Sequence, residues 1–267
     1  MPYATNSWLD TTTFPPTDKY IYLALDHPLA KSDGKYILIG VQCEPDAILH
    51  HRQMFIDNHK NFNTILTHDD EILKACPNAR LYLWGTTWIS PSTYNNINIG
   101  LKKQAISCLT GRKNHTVGQE FRLQLYTRQK TLQLPITWFR SSKDSSPLPI
   151  LSQNPLLGDS KDPLFLEYQF SVAIENCRQN NYFTEKLVDC LLTKTIPIYY
   201  GCPNISNWFD TRGWIILETP SISEFKTKCS YLPNYARYIT IINENYERAK
   251  QYISLQGNIH RVMNFGD

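Results

Sequence analysis

Two short stretches in the second half of the chain carry residue types and spacings that can do chemistry. Glu175 and Asn176 follow directly on the apolar run Phe170-Ser171-Val172-Ala173-Ile174, and Glu185-Lys186 follows Tyr182-Phe183-Thr184 a few residues later. An acid and an amide just past the end of a strand suit hydrogen bonding to a polar ligand, because ligands of open α/β sheets bind beyond the strands' carboxyl ends. They suit equally well a loop residue or a cap bonded to backbone. Glu185 fits the first turn of a helix, where a carboxylate meets unpaired N–H groups. Lys186 is less expected at that end, unless an anion sits there and is met by amide donors and ammonium together. A solvated surface lysine is the plain alternative. Arg112, Lys113 and Arg122 add cations near a second turn-to-helix junction, so a pyrophosphate is a chemically reasonable guest. In the first half, Glu44 follows the run Tyr36 to Val41 and is the candidate carboxylate on that side, with a simple loop acid as its alternative.

The elements that must position these groups read as alternating strands and helices. Tyr36 to Val41 is a strand closed by Cys43-Glu44-Pro45, Ala47 to Asn58 an imperfect helix, and Asn63 to Thr67 a strand. His68-Asp69-Asp70-Glu71 opens a helix, and Leu81 to Gly85 is a third strand. An asparagine-rich stretch from Ser90 to Asn98 marks a boundary. Beyond it come a strand at Ala105 to Leu109, a helix at Gly118 to Gln129 and a strand at Leu134 to Phe139. A serine- and proline-rich loop then runs from Arg140 to Pro163. The last block is the most regular: strand Phe170 to Ile174, helix Thr184 to Thr193 with Thr184 as N-cap, strand Thr195 to Tyr200, strand Trp214 to Leu217, and a helix over Ile242 to Leu255. Leu187, Val188, Leu191 and Leu192 form the inward stripe of the helix after Thr184. The expectation is an α/β protein of two halves, 1–100 and 101–267, each with a parallel sheet.

Composition sets outer limits. The 267 residues are 42% hydrophobic and 12% aromatic, ample for packed cores, and the net charge of +3 is too small for a nucleic-acid stripe. Seven cysteines lack zinc-ribbon spacing and are expected to be reduced, buried small hydrophobes. Scattered histidines, among them His50, His51, His59 and His68, give no metal assignment. There is no G-x-G-x-x-G, P-loop, H-E-x-x-H or G-x-S-x-G element. No signal peptide or membrane anchor is evident, so a cytoplasmic or otherwise soluble location is expected. Asn114-His-Thr116 and Asn204-Ile-Ser206 match the glycosylation sequon.

Three linked segments carry a family resemblance: Tyr168-Gln-Phe-Ser-Val-Ala-Ile-Glu-Asn176, Asn181-Tyr-Phe-Thr-Glu-Lys-Leu187 and Thr195-Ile-Pro-Ile-Tyr-Tyr-Gly201. In order and spacing they resemble the C-terminal signature of family 10 glycosyltransferases, the α-1,3/1,4-fucosyltransferases. The resemblance is clear from Phe165 to Trp214 and looser upstream. It implies a GT-B arrangement of two Rossmann-like domains, here with an abbreviated N-terminal acceptor-side domain. It also implies inverting transfer of a sugar, fucose in the first instance, from a GDP-sugar to a carbohydrate or glycan acceptor. On this pattern Lys186 and Arg122 would neutralise the pyrophosphate, and Glu185 would meet the ribose or donor sugar. Glu175 and Asn176, with Tyr182, would line the nucleotide pocket, and Glu44 would be the base. No cofactor would be obligatory, manganese use stays open, and no nucleic acid or membrane partner is implied. Cys177-Arg178 departs from the family's usual small residues, and a nucleotide- or carbohydrate-binding protein of the same fold without turnover is the alternative.

Overall fold

The computed structural model describes residues 20–28, 31, 34, 36–111, 113–141 and 160–263. Arg112, a cation considered above, and most of the serine- and proline-rich loop lie outside them. Two all-parallel sheets organise the chain. The first contains β1 (Tyr20–Leu25), β2 (Tyr36–Val41), β3 (Thr64–Thr67) and β4 (Ala79–Leu81), in sequential order. The second has the order β6-β5-β7-β8-β9, from β5 (Lys103–Thr110), β6 (Ile136–Arg140), β7 (Tyr168–Ile174), β8 (Ile196–Tyr200) and β9 (Ile215–Ile216). Helices α1 (Asp46–Leu49), α2 (Arg52–Asp57) and α3 (Asp70–Ala75) belong to the first half, and α4 (Pro91–Tyr94) lies in the connection. The rest are α5 (Val117–Thr127), α6 (Gln129–Leu132), α7 (Glu185–Leu192), α8 (Ile222–Cys229), α9 (Ile239–Ala249) and α10 (Leu255–Met263).

Parallel strands covered on both faces read as apolar runs rather than alternating ones, and β7 and β8 do so here. Phe170, Val172, Ile174, Ile198 and Tyr200 point to one face, packed by Phe121 and Leu125 of α5 and Phe225 of α8. Ala173 and Tyr199 point to the other, packed by Leu187, Val188 and Leu191 of α7 and Tyr246 of α9. The first sheet is covered on one side by Phe55 and Ile72, and on the other by Ile259 of α10. The last described helix thus packs back on the first sheet.

Several boundaries differ from the sequence reading. The helix expected over Ala47 to Asn58 is two short ones, broken where His50 takes a left-handed conformation (φ 52°). The third strand is Ala79–Leu81, not Leu81 to Gly85. Tyr82 N–H makes a last bond to Thr67 O, after which the chain leaves the sheet and Gly85 N–H donates to Phe183 O in the second half. The helix expected over Ile242 to Leu255 is α9 followed by a separate α10. Strand β1 and helix α8 were not anticipated.

Candidate functional site

Glu175 leaves the end of β7 and is fully buried (0% exposed). Its carboxylate accepts the backbone N–H of Thr184 at 2.8 Å and the Thr184 hydroxyl at 2.7 Å. Thr184 is also the N-cap of α7, accepting from Lys186 N–H, so one carboxylate fixes the strand end to the helix start. Two glycines make this possible. A Cβ on Gly118, in the first turn of α5, would lie 1.7 Å from Glu175 O, and one on Gly201 would lie 2.6 Å from Glu175 Cγ. Gly118 N–H donates to Asn176 O at 3.0 Å, which brings the start of α5 against the same loop.

The ammonium of Lys186 sits over this junction. It donates to Thr184 Oγ1 at 3.0 Å and Glu185 Oε1 at 3.1 Å, and lies 3.7 Å from Glu175 Oε2, while 24% of its side chain is exposed. Burial works against its charge, but Glu185 and Glu175 outweigh burial and hold the ammonium above its ordinary pKa. For Glu185 burial acts upward; Lys186 and Lys161 overcome it and bring the carboxyl down to about 2. Burial is also the largest influence on Glu175 and leaves it raised despite Lys186. The result is an ion cluster with its cation at the helix N-terminus, partly open to solvent.

Arg122 is committed to the same loop: its guanidinium donates to Ile174 O and, at 3.0 Å, to Asn176 Oδ1. Burial pulls its pKa down from the ordinary value, and Glu175 counters. Its remaining N–H groups give it further donors, while these two bonds tie it to the strand end. Tyr182 is buried, its ring 5.0 Å from that of His68 in the first half. The loop between Asn176 and Thr184 docks on the opening of α3. Asn180 and Asn181 donate to Asp70 at 3.1 and 3.0 Å, and Asn204 Nδ2 donates to Asn181 Oδ1 at 2.8 Å.

Glu44 follows β2 on the first sheet, half-buried. Burial raises its pKa first, Lys186 lowers it, and Asp26, Glu185 and Glu175 raise it, leaving it above the usual carboxylate range. Those influences place Glu44 within electrostatic reach of all three charged residues of the second-half cluster. Glu175, Glu185 and Lys186 share one junction at the carboxyl end of β7, and Glu44, past the end of β2, is coupled to all three electrostatically. Two participants were missed in the sequence. Asp26, after β1, binds the turn that carries Glu44. Asp189, buried within α7, accepts from Thr87 Oγ1 at 2.7 Å and Trp88 N–H at 2.9 Å and so anchors the connection between the halves. Tyr20 to Leu25 is an apolar run followed directly by an acid, a mark of a strand end that does not tell which strand lies beside it.

All seven cysteines are free, and six are buried. Among the described residues, no group of three or more His, Cys, Asp or Glu side chains is arranged to hold a metal ion, and no helix is long and apolar enough to cross a membrane.

The strand-end carboxylate and the capped helix carrying Lys186 lie in a stretch that matches a known family. The model of the family described as "Glycosyltransferase family 10 (fucosyltransferase) C-term" matches residues 103–261, more than half of the chain. The chain belongs to glycosyltransferase family 10. Bovine (Bos taurus) GDP-fucose protein O-fucosyltransferase 3 is 30% identical over 138 residues, 50% of this chain and 27% of that protein. Drosophila melanogaster alpha-(1,3)-fucosyltransferase B is 36% identical over 87 residues, 31% of this chain and 20% of that protein. The matched stretches thus span about a quarter or less of these relatives' lengths. In fold the chain is similar to S. aureus TarM, solved with fondaparinux, alpha-GlcNAc-glycerol and UDP (TM-score 0.63, 10% identity, 91% of this chain and 55% of that one). It is also similar to an alpha1,3-fucosyltransferase solved with GDP (TM-score 0.51, 13% identity, 94% of this chain and 77% of that one). These likenesses show the GT-B glycosyltransferase fold, the class that the family resemblance implied.

Proposed function

We propose that this chain is a glycosyltransferase that takes a sugar, in the first instance fucose, from a GDP-sugar and passes it with inversion to an acceptor hydroxyl. The observation that carries this reading is the junction of Glu175, Thr184 and Lys186, with Glu44 of the other sheet coupled electrostatically to that lysine. An inverting transfer needs two things at opposite ends of the reacting axis. One is a cation where the diphosphate leaves, and the other is a base where the hydroxyl attacks.

Lys186 is the cation at the leaving group. Its ammonium is partly open, sits at a helix N-terminus, and can exchange Glu185 for phosphate oxygens as negative charge develops there. Arg122 holds Ile174 O and Asn176 in place and turns its remaining donors to the same diphosphate. Glu185, released from Lys186, accepts from a hydroxyl of the ribose or donor sugar. Glu175 acts from beneath, fixing the helix start, while Asn176 and Tyr182 line the nucleotide. Glu44, whose pKa is raised, accepts the acceptor's proton at neutral pH. Side-chain cations carry the leaving group's charge in this reading, without an obligatory metal. The division into an acceptor-side half, 1–100, and a donor half, 101–267, belongs to the same proposal, with α10 packing back on the first sheet. The relatives' names include a protein O-fucosyltransferase and an α-1,3-fucosyltransferase, so the acceptor is taken as a hydroxyl on a glycan or glycoprotein.

Glu44→Gln tests the reading and separates a transferase from a protein that only binds. It should keep GDP affinity and lose GDP release from GDP-fucose by at least about 100-fold. Turnover at the wild-type rate would remove Glu44 from the mechanism. Absence of turnover in the wild type, with GDP still bound, would favour the binding protein.

A further inference from the structure

Asp26 ends β1 in a left-handed backbone conformation (φ 49°), one that non-glycine residues seldom adopt and that Asp tolerates better than most. Its own N–H donates to Val41 O at 2.8 Å, continuing the β1–β2 ladder past Leu25. Its side chain then turns onto the next strand's exit. Oδ1 accepts Cys43 N–H at 2.8 Å, and the two oxygens share Glu44 N–H at 3.2 Å each. On its far side lies His51, buried, with Nε2 3.2 Å from Oδ1; in the tautomer carrying hydrogen on Nε2 it is a third donor. One carboxylate thus gathers two successive backbone amides and an imidazole at the turn that presents Glu44.

We infer that Asp26, held by His51, is the positioning residue for Glu44: it fixes the Cys43–Glu44 turn and keeps a negative charge behind the base. This rests on the base role proposed for Glu44. Two links make the arrangement more than a loop tie. Geometrically, a carboxylate bonded to the successive N–H groups of Cys43 and Glu44 fixes the backbone from which the Glu44 side chain leaves. Electrostatically, a second negative charge beside a carboxyl disfavours its ionisation and makes it a better proton acceptor near neutral pH. The charged and titratable groups coupled to Glu44 are Asp26 after β1, Cys43 beside it, Glu175 from the end of β7, Lys186 and Glu185 from α7, and Cys177 and Tyr182 from the intervening loop. Of these Lys186 alone favours the ionised form, and it is shared with Glu185 and Glu175.

The test is the titration of the Glu44 carboxyl, followed by carbon-13 NMR of the side chain and assigned by its loss in Glu44→Gln. It is compared in the wild type, Asp26→Asn and Asp26→Ser. Both variants keep an acceptor for the two amides without the charge. Glu44 should titrate lower by about one pH unit in each, and the acidic limb of GDP release from GDP-fucose should move with it. At neutral pH, kcat should fall about threefold with KM for GDP-fucose unchanged, since a base weaker by one pKa unit loses only a fraction of that unit in rate. A midpoint unmoved in both variants, beside an inactive Glu44→Gln, overturns the inference alone. Wild-type turnover by Glu44→Gln overturns the base reading and the inference with it.

Discussion

The carboxylate of Glu175 accepts both the N–H and the hydroxyl of Thr184, nine residues further on, and so fastens the end of β7 to the start of α7. The strand end and the helix cap are therefore one unit, and Lys186 stands on it. Thr184→Ala should cost the cap about 1 kcal/mol. It also takes one donor from a fully buried acid, which costs a further ~1–3 kcal/mol. Urea unfolding should show the combined loss, and Thr184→Ser should recover most of it. A loss below about 0.5 kcal/mol would mean that the junction is not held in this way.

Close approach of α5 to the 175–176 backbone makes a sharper prediction. A side chain at Gly118 would meet a carbonyl oxygen at 1.7 Å, and backbone on both sides leaves little room to yield. Gly118→Ala should destabilise the fold by more than about 3 kcal/mol or prevent it from folding, beyond ordinary overpacking. Gly257→Ala is the matched control. It lies within α10 and has its nearest neighbour 3.6 Å away, so it should gain about 0.5–1 kcal/mol. Equal effects of the two substitutions, read as shifts in Tm, would contradict the packing described.

The unit around Glu175 was also the part most legible in the sequence. The apolar run of β7 marked a strand buried on both faces, and Thr184 before a stripe of leucines marked a capped helix. Glu185 and Lys186 stood out because a lysine is out of place in a helix's first turn. The positions of Asp26 and Asp189 were not legible, for different reasons. Asp26 matters only because β1 pairs with β2 in a register that sets Leu25 beside Val41, and neighbouring strands cannot be read from one strand's pattern. Asp189 lies off the inward stripe of Leu187, Val188, Leu191 and Leu192, yet it too is fully buried and its carboxylate holds the connection between the halves. The expected strand Leu81 to Gly85 failed for a similar cause: its apolar residues serve the junction with Phe183 and α10, not a ladder.

Asp189 yields a pH prediction. Burial raises its pKa from 3.8 to about 6, against the opposing pull of Lys161 and of hydrogen bonds from Thr87 and Trp88. Folded protein therefore holds this proton more tightly than unfolded chain, so the contribution of Asp189 to stability falls as pH rises from about 4 to about 6 and is flat above. Asp189→Asn keeps an acceptor for Thr87 and Trp88 and cannot ionise. Wild-type stability relative to this variant should decline by about 3 kcal/mol across that window. Parallel pH profiles in urea titrations would show that the carboxyl is not held as described.

The central claim is that the junction of Glu175, Thr184, Glu185 and Lys186 is a diphosphate site, and calorimetric titration with GDP tests it most directly. Wild-type protein should bind GDP. Lys186→Ala, shown by circular dichroism to be folded, should bind it about 10- to 100-fold more weakly, the loss expected for one charge-assisted contact. An unchanged Kd in that variant, or no GDP binding by the wild type, would contradict the account.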